Sequence, residues 1–138
     1  MTTIKAKKGE FVNLVNGLFQ VQDLKGKTFS LTVIKNIRTI EQELKDLEVA
    51  GKPTDEFMAL AKQVNEIANE NSEDSESKIT ELEEVNKELV ASRKKQVEKV
   101  TEMMEEEITI NLDSVSEKDL PNDITAKQIS SIEKIISN

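Results

Sequence analysis

The chain has 138 residues, a third of them charged, with a net charge of −8 and neither cysteine nor histidine. That length suits one domain with a core of its own, and the acidic balance excludes the basic footprint that nucleic acid or an anionic membrane requires. Lack of cysteine removes disulfides, thiolate metal ligands and thiol nucleophiles together, and with four Phe as the only aromatics the apolar residues suit thin helical seams better than a thick sandwich core.

The β-branched start at Thr2, Thr3 and Ile4 reads as a short strand near 2–6, with Gly9 as its exit. Phe11, Leu14, Val15, Leu18 and Val21 then recur at helical spacing, so a helix is expected near 10–22. Gly17 costs that helix about 1 kcal/mol relative to Ala, which marks it as a close-packing point or a weak spot. After a turn over 23–26, Phe29, Val33, Ile37, Ile40, Leu44 and Leu47 advance by threes and fours. They predict a helix near 28–50 that Gly51 and Pro53 stop.

Thr54, Asp55 and Glu56 open a helix near 54–70, whose face is Phe57, Leu60, Ala61, Val64, Ile67 and Ala68. Residues 69–76 lack apolar side chains and form a solvated turn, from which Ser75 or Ser77 is expected to cap the next helix. That helix, near 77–105, is the longest predicted element. Ile79, Leu82, Val85, Leu89, Val97, Val100 and Met104 make its thin apolar stripe, broken by a polar gap at Ser92, Arg93 and Gln96. Ile108, Ile110 and Leu112 alternate with polar residues and predict a strand near 107–112. Thr125 precedes a last helix near 125–136 through Ile129, Ile132 and Ile135 or Ile136.

The expected fold is mainly α, a single domain over 1–138. It is a helical bundle with a long antiparallel helical hairpin and a small two-stranded sheet that joins the N-terminal strand to the one near 107–112. The short acidic turn between the helices near 54–70 and 77–105 makes them antiparallel, and this returns the later strand to the start of the chain.

Three stretches carry a family resemblance: Lys7-Lys8-Gly9-Glu10-Phe11-Val12-Asn13-Leu14; Lys35-Asn36-Ile37 with Ile40-Glu41 and Glu43-Leu44; and Glu106 to Leu112 with Asp119-Leu120-Pro121-Asn122-Asp123-Ile124-Thr125-Ala126-Lys127-Gln128. On these the chain resembles a family of small uncharacterised proteins encoded by tailed bacteriophages and prophages. The resemblance implies a phage origin and a non-catalytic role.

Candidate chemistry is sparse. Gly26-Lys27-Thr28 lacks the second glycine of a phosphate loop, Val21 standing in its place, and reads as a turn and helix start. Glu105, Glu106 and Glu107 fan out over about 200° at a helix end instead of converging on a cation. Asp113, Asp119 and Asp123 offer carboxylates without any group to raise one pKa. No enzyme activity, cofactor or metal is expected. Lys35 and Asn36, on the flank of an apolar stripe, are either a covering stem and an amide bonded to a nearby loop or a polar contact to a partner. Asp119, Leu120, Pro121 and Asp123 form either a turn that plugs an apolar end or a docking motif.

No apolar run approaches the ~18 residues of a membrane span, and the first residues lack the order of a signal peptide, so a soluble protein of the host cytoplasm is expected. The leading functional expectation is an interaction protein that binds a host or phage protein, with inhibition of a host defence as one form of it. A virion or tail and capsid assembly component is the alternative. An acidic DNA mimic is a third reading, based on the acids from Glu70 to Glu88, which Arg93, Lys94, Lys95 and Lys99 interrupt. The second arm of the hairpin, about 29 residues against about 17, outruns the first by roughly 18 Å, and a homodimer is expected unless the first two helices cover that overhang.

Overall fold

The computed structural model describes residues 1–137; Asn138, the last residue of the expected single domain, lies outside them. In chain order the elements are β1 (Thr2–Lys7), α1 (Lys8–Gln20), α2 (Lys27–Glu43), α3 (Lys45–Gly51), α4 (Asp55–Glu70), α5 (Ser75–Val85), α6 (Lys87–Met104), β2 (Glu107–Leu112), β3 (Val115–Ser116), α7 (Ala126–Ile132) and β4 (Ile136–Ser137). The fold is mainly α, with an antiparallel helical hairpin and the expected antiparallel sheet. Thr2 lies opposite Leu112, and Lys7 opposite Glu107. The chain divides into two compact units, a core unit of Met1–Leu47 with the chain from Glu102 onward, and a hairpin unit of Glu48–Thr101.

In the core unit the sheet turns Ala6, Ile110 and Leu112 inward, while Thr3, Lys5, Thr109 and Asn111 face solvent, as the period of two requires. Phe11, Leu14 and Leu18 of α1, Phe29, Val33 and Ile40 of α2, and Ile132 of α7 join them in one buried cluster. Each such side chain contributes about 1.5–3 kcal/mol of burial. Helix α7 crosses α1 at Gly17, where a Cβ would stand 2.8 Å from the Ser131 carbonyl oxygen. Gly17 is therefore a close-packing point.

Several expected boundaries move, each through a local hydrogen bond or a contact made at long range. Gly9 lies inside the first turn of α1 instead of closing β1, because the Glu10 carboxylate accepts the Lys7 backbone N–H at 2.9 Å and starts the helix at Lys8. The helix expected over 28–50 is interrupted at Leu44; just beyond, the Asp46 carboxylate takes the Leu47 N–H at 2.8 Å, a local competitor of the helical ladder. The helix expected over 77–105 is likewise two, broken at Asn86, whose side-chain amide donates to the Leu82 carbonyl at 2.9 Å. The last helix is secured by a capping box at Thr125, whose hydroxyl accepts the Gln128 N–H while the Gln128 side chain accepts the Thr125 N–H. It ends at Ile132 and passes through a 3₁₀ turn at Glu133–Ile135 into β4, which pairs in parallel with β3.

In the hairpin unit, the Thr54 hydroxyl caps α4 by accepting the Phe57 N–H at 3.1 Å. Asn71 closes it with φ of 48°, a left-handed conformation that asparagine tolerates. Ser75 is buried at the turn, but it does not cap α5. Its hydroxyl donates to the Ile67 carbonyl at 3.0 Å and accepts the Ser72 N–H at 3.1 Å, so it ties the end of α4 to the turn.

Candidate functional site

Asn36 is the most deeply buried polar side chain, at 1% exposure, and its amide acts as a piece of backbone. Nδ2 donates to the Asp113 carbonyl at 2.8 Å, and Oδ1 accepts the Asp113 N–H at 2.9 Å. This two-bond clasp extends the β2 ladder by one residue, with a side chain of α2 in place of a strand. Of the two readings of Asn36, the structure thus shows the amide bonded to a neighbouring segment. Lys35 beside it is exposed and reaches the Asp113 carboxylate only at 3.9 Å, a solvated pair worth little. A cavity of about 340 Å³ opens here among Met1, Lys35, Arg38, Thr39 and Asn111.

At the other sequence candidate, Pro121 is buried and Leu120 packs against the core cluster. Asp119 is half-buried at the end of a 3₁₀ turn, and Asp123 is exposed. These four residues are not brought together with Lys35 and Asn36 into a shared pocket.

Lys8, which the sequence did not single out, is buried at 5% exposure. Its ammonium sits 2.9 Å from both the Asp46 and the Glu106 carboxylates. These bonds, with Glu106 first and Asp46 second, raise the Lys8 pKa above its ordinary value, and the Lys8 ammonium in turn holds Asp46 below its own. The paired charges join the start of α1 to α3 and to the residue before β2. A lysine in the first turn of a helix gives no sign of this in sequence.

The least satisfied surface lies on the hairpin unit. Within it Leu60 is the one buried apolar side chain among the described residues, and the buried cluster of the chain has no member there. Phe57, Val64, Ile67, Leu82 and Val90 remain half-buried, and Met58 and Val85 are 52% and 83% exposed. Along this face runs a mainly apolar groove of about 430 Å³ lined by Phe57, Leu60, Ala61, Val64, Ala68 and Val90 together with Asn65 and Glu83. The sequence marks Phe57, Leu60, Ala61, Val64 and Ala68 as the face of α4; it does not show that the helices opposite leave that face partly uncovered.

The expected polar gap in the long helix also finds its partners within the chain. Arg93 Nη1 donates to the Gly51 carbonyl at 2.9 Å, and Gln96 Nε2 donates to those of Ala50 at 2.9 Å and Lys52 at 2.6 Å. The two side chains satisfy carbonyls that the end of α3 leaves open. The Arg93 guanidinium also lies 5.6 Å from the centre of the Phe57 ring, within cation–π range.

Among the described residues no group of acidic side chains is placed to hold a metal ion, and no helix is long and apolar enough to cross a membrane. No protein-family model, curated protein or solved structure matches the chain.

Proposed function

We propose that this is a non-enzymatic, phage-encoded interaction protein that works in the host cytoplasm by binding a host or phage protein through the apolar face of its hairpin unit. Inhibition of a host defence is the form of action this reading favours. The observation that carries it is the groove along Phe57, Ala61, Val64 and Ala68, an amphipathic helical face with too little cover from its own unit. Helix-in-groove recognition uses anchors at this spacing. The phage assignment rests on the motif resemblance at Lys7–Leu14, Lys35–Leu44 and Glu106–Gln128.

Affinity capture of tagged protein from infected cells tests the proposal. A specific partner held by the parent and lost with Val64→Glu supports it; retention of the same partner by Val64→Glu overturns the assignment to this face. A virion or tail and capsid assembly role is the second reading, favoured by the same uncovered face, and mass spectrometry of purified virions separates the two. The DNA-mimic reading is weaker, since the acids from Glu70 to Glu88 give way to Arg93, Lys94, Lys95 and Lys99 on the same helical hairpin.

A further inference from the structure

We infer that the free edge of β1 takes an extended segment of a partner protein as a third strand, and that this segment alternates apolar with acidic residues. The site lies in the core unit and is independent of the hairpin groove.

The register fixes which main-chain groups are free. Lys7 lies opposite Glu107, and the Lys8 N–H donates to the Glu106 carbonyl at 2.9 Å. In an antiparallel pair bonding alternates from one residue to the next, so Thr2, Ile4, Ala6 and Lys8 turn their main-chain groups toward β2, while Thr3, Lys5 and Lys7 turn theirs away. Lys7 is already engaged. Its N–H goes to the Glu10 carboxylate, and as the residue that precedes α1 its carbonyl accepts the first bond of that helix. Thr3 and Lys5 remain. Both are exposed, and among the described residues no hydrogen bond reaches the N–H or the carbonyl of either. Their donors and acceptors have the spacing of a ladder that a strand laid alongside completes.

The side chains select the strand. On the inner face Ile4 is only half-buried, although Ile110 opposite it is 3% exposed, so an apolar residue beside Ile4 gives it cover. On the solvent face the added strand runs beside Lys5 and Lys7. The acids that pair with them stand on the far side: Glu107, 3.6 Å from Lys5, belongs to β2, and Glu105, 2.6 Å from Lys7, precedes it. Neighbouring strands lie about 4.8 Å apart, so the newcomer is next to the lysines and about 10 Å from β2, beyond the Debye length of about 8 Å at physiological salt. Glu10, at the closed end of the edge, is offset by Lys134 at 3.5 Å. A second β1 would gather the lysines of both copies on one face, so the residues that keep a like strand away favour an acidic one.

The test uses the full chain, isotope-labelled for NMR, and a short synthetic peptide that alternates valine with glutamate. Titration at about 0.1 M salt should shift the amides of Thr3 and Lys5 with a Kd below about 1 mM. A peptide that alternates valine with lysine, or salt of about 1 M, should weaken binding at least tenfold. Lys5→Pro deletes an N–H that β2 does not use, and should abolish binding with the β1–β2 pair intact. Methylating the peptide nitrogens removes the peptide's donors and should abolish binding to the unaltered protein. Unshifted Thr3 and Lys5 amides, unchanged binding by Lys5→Pro or by the methylated peptide, or equal binding of the lysine peptide overturns the inference. Shifts confined to Phe57 and Val64 overturn it by placing the peptide in the groove. Thr3 and Lys5 amides that move on dilution without peptide overturn it in favour of a second copy.

Discussion

At Gly17 the helix propensity and the packing oppose each other, and the distances decide which wins. Alanine favours a helix by about 1 kcal/mol, yet its methyl would stand 2.8 Å from a backbone oxygen of Ser131. Backbone cannot swing aside as a flexible side chain does, so Gly17→Ala should destabilise by about 1–3 kcal/mol in urea unfolding, with exposed Asn16→Ala near neutral as the control. Asn36→Leu keeps the volume but strands the N–H and carbonyl of Asp113, and should cost about 2 kcal/mol by the same measurement; an unchanged stability would mean that water replaces the amide. Lys8→Met tests charge, since the buried stem is retained. The Asp46 pKa is depressed below its ordinary 3.8, so its contribution is complete above that pH and fades as pH falls through the lower folded value. Lys8 is raised above 10.5, so its contribution is complete below that pH and fades above it. The parent should therefore lose stability below about pH 4 more steeply than Lys8→Met. Parallel acid limbs in urea titrations at several pH values would rule the pair out as a stabilising contact.

Helix type and order were legible wherever the apolar period was long. Phe29, Val33, Ile37 and Ile40 predicted α2, and the alternation of Ile108, Ile110 and Leu112 predicted β2. The interruptions at Leu44 and Asn86 were not legible, because a stripe that continues across a one-residue break looks the same in sequence as an unbroken helix. Strands β3 and β4 have two residues each, too few for any period, and exist through a pairing of Val115 with Ile136. Asn36 was noticed as a candidate, but its role depends on a segment 77 residues away that local pattern cannot supply. The elements also differ in how much cover they have. Helices α1 and α2 contribute half of the buried cluster, whereas α6 has no buried residue. Amide hydrogen exchange should accordingly be faster along α5 and α6 than along α1 and α2 at low protein concentration. Equal protection there would show that the hairpin helices share the stability of the core.

For the whole molecule, every residue of the buried cluster lies outside residues 48–101, so the hairpin unit is dispensable to the core by position. The Val100 side chain lies close to Gly51, where an added Cβ would stand 3.5 Å from it, so a short Gly-Ser bridge can replace residues 52–99. The shortened protein should retain a cooperative thermal transition and its antiparallel β1–β2 pair. A gradual melt without a transition would show that the core draws stability from the hairpin.

The pairing of β1 with β2 also sets the order of events during synthesis. Thr3 bonds Asn111, 108 residues further on. At a translation rate of about 5–20 residues per second, the first strand leaves the ribosome roughly 5–20 seconds before its partner is made. Through that interval its ladder groups are open to any passing strand, and the alternating lysines at Lys5 and Lys7 are the kind of side chain that keeps an open edge from joining another. The core is thus completed after the hairpin has been made, when β2 reaches β1.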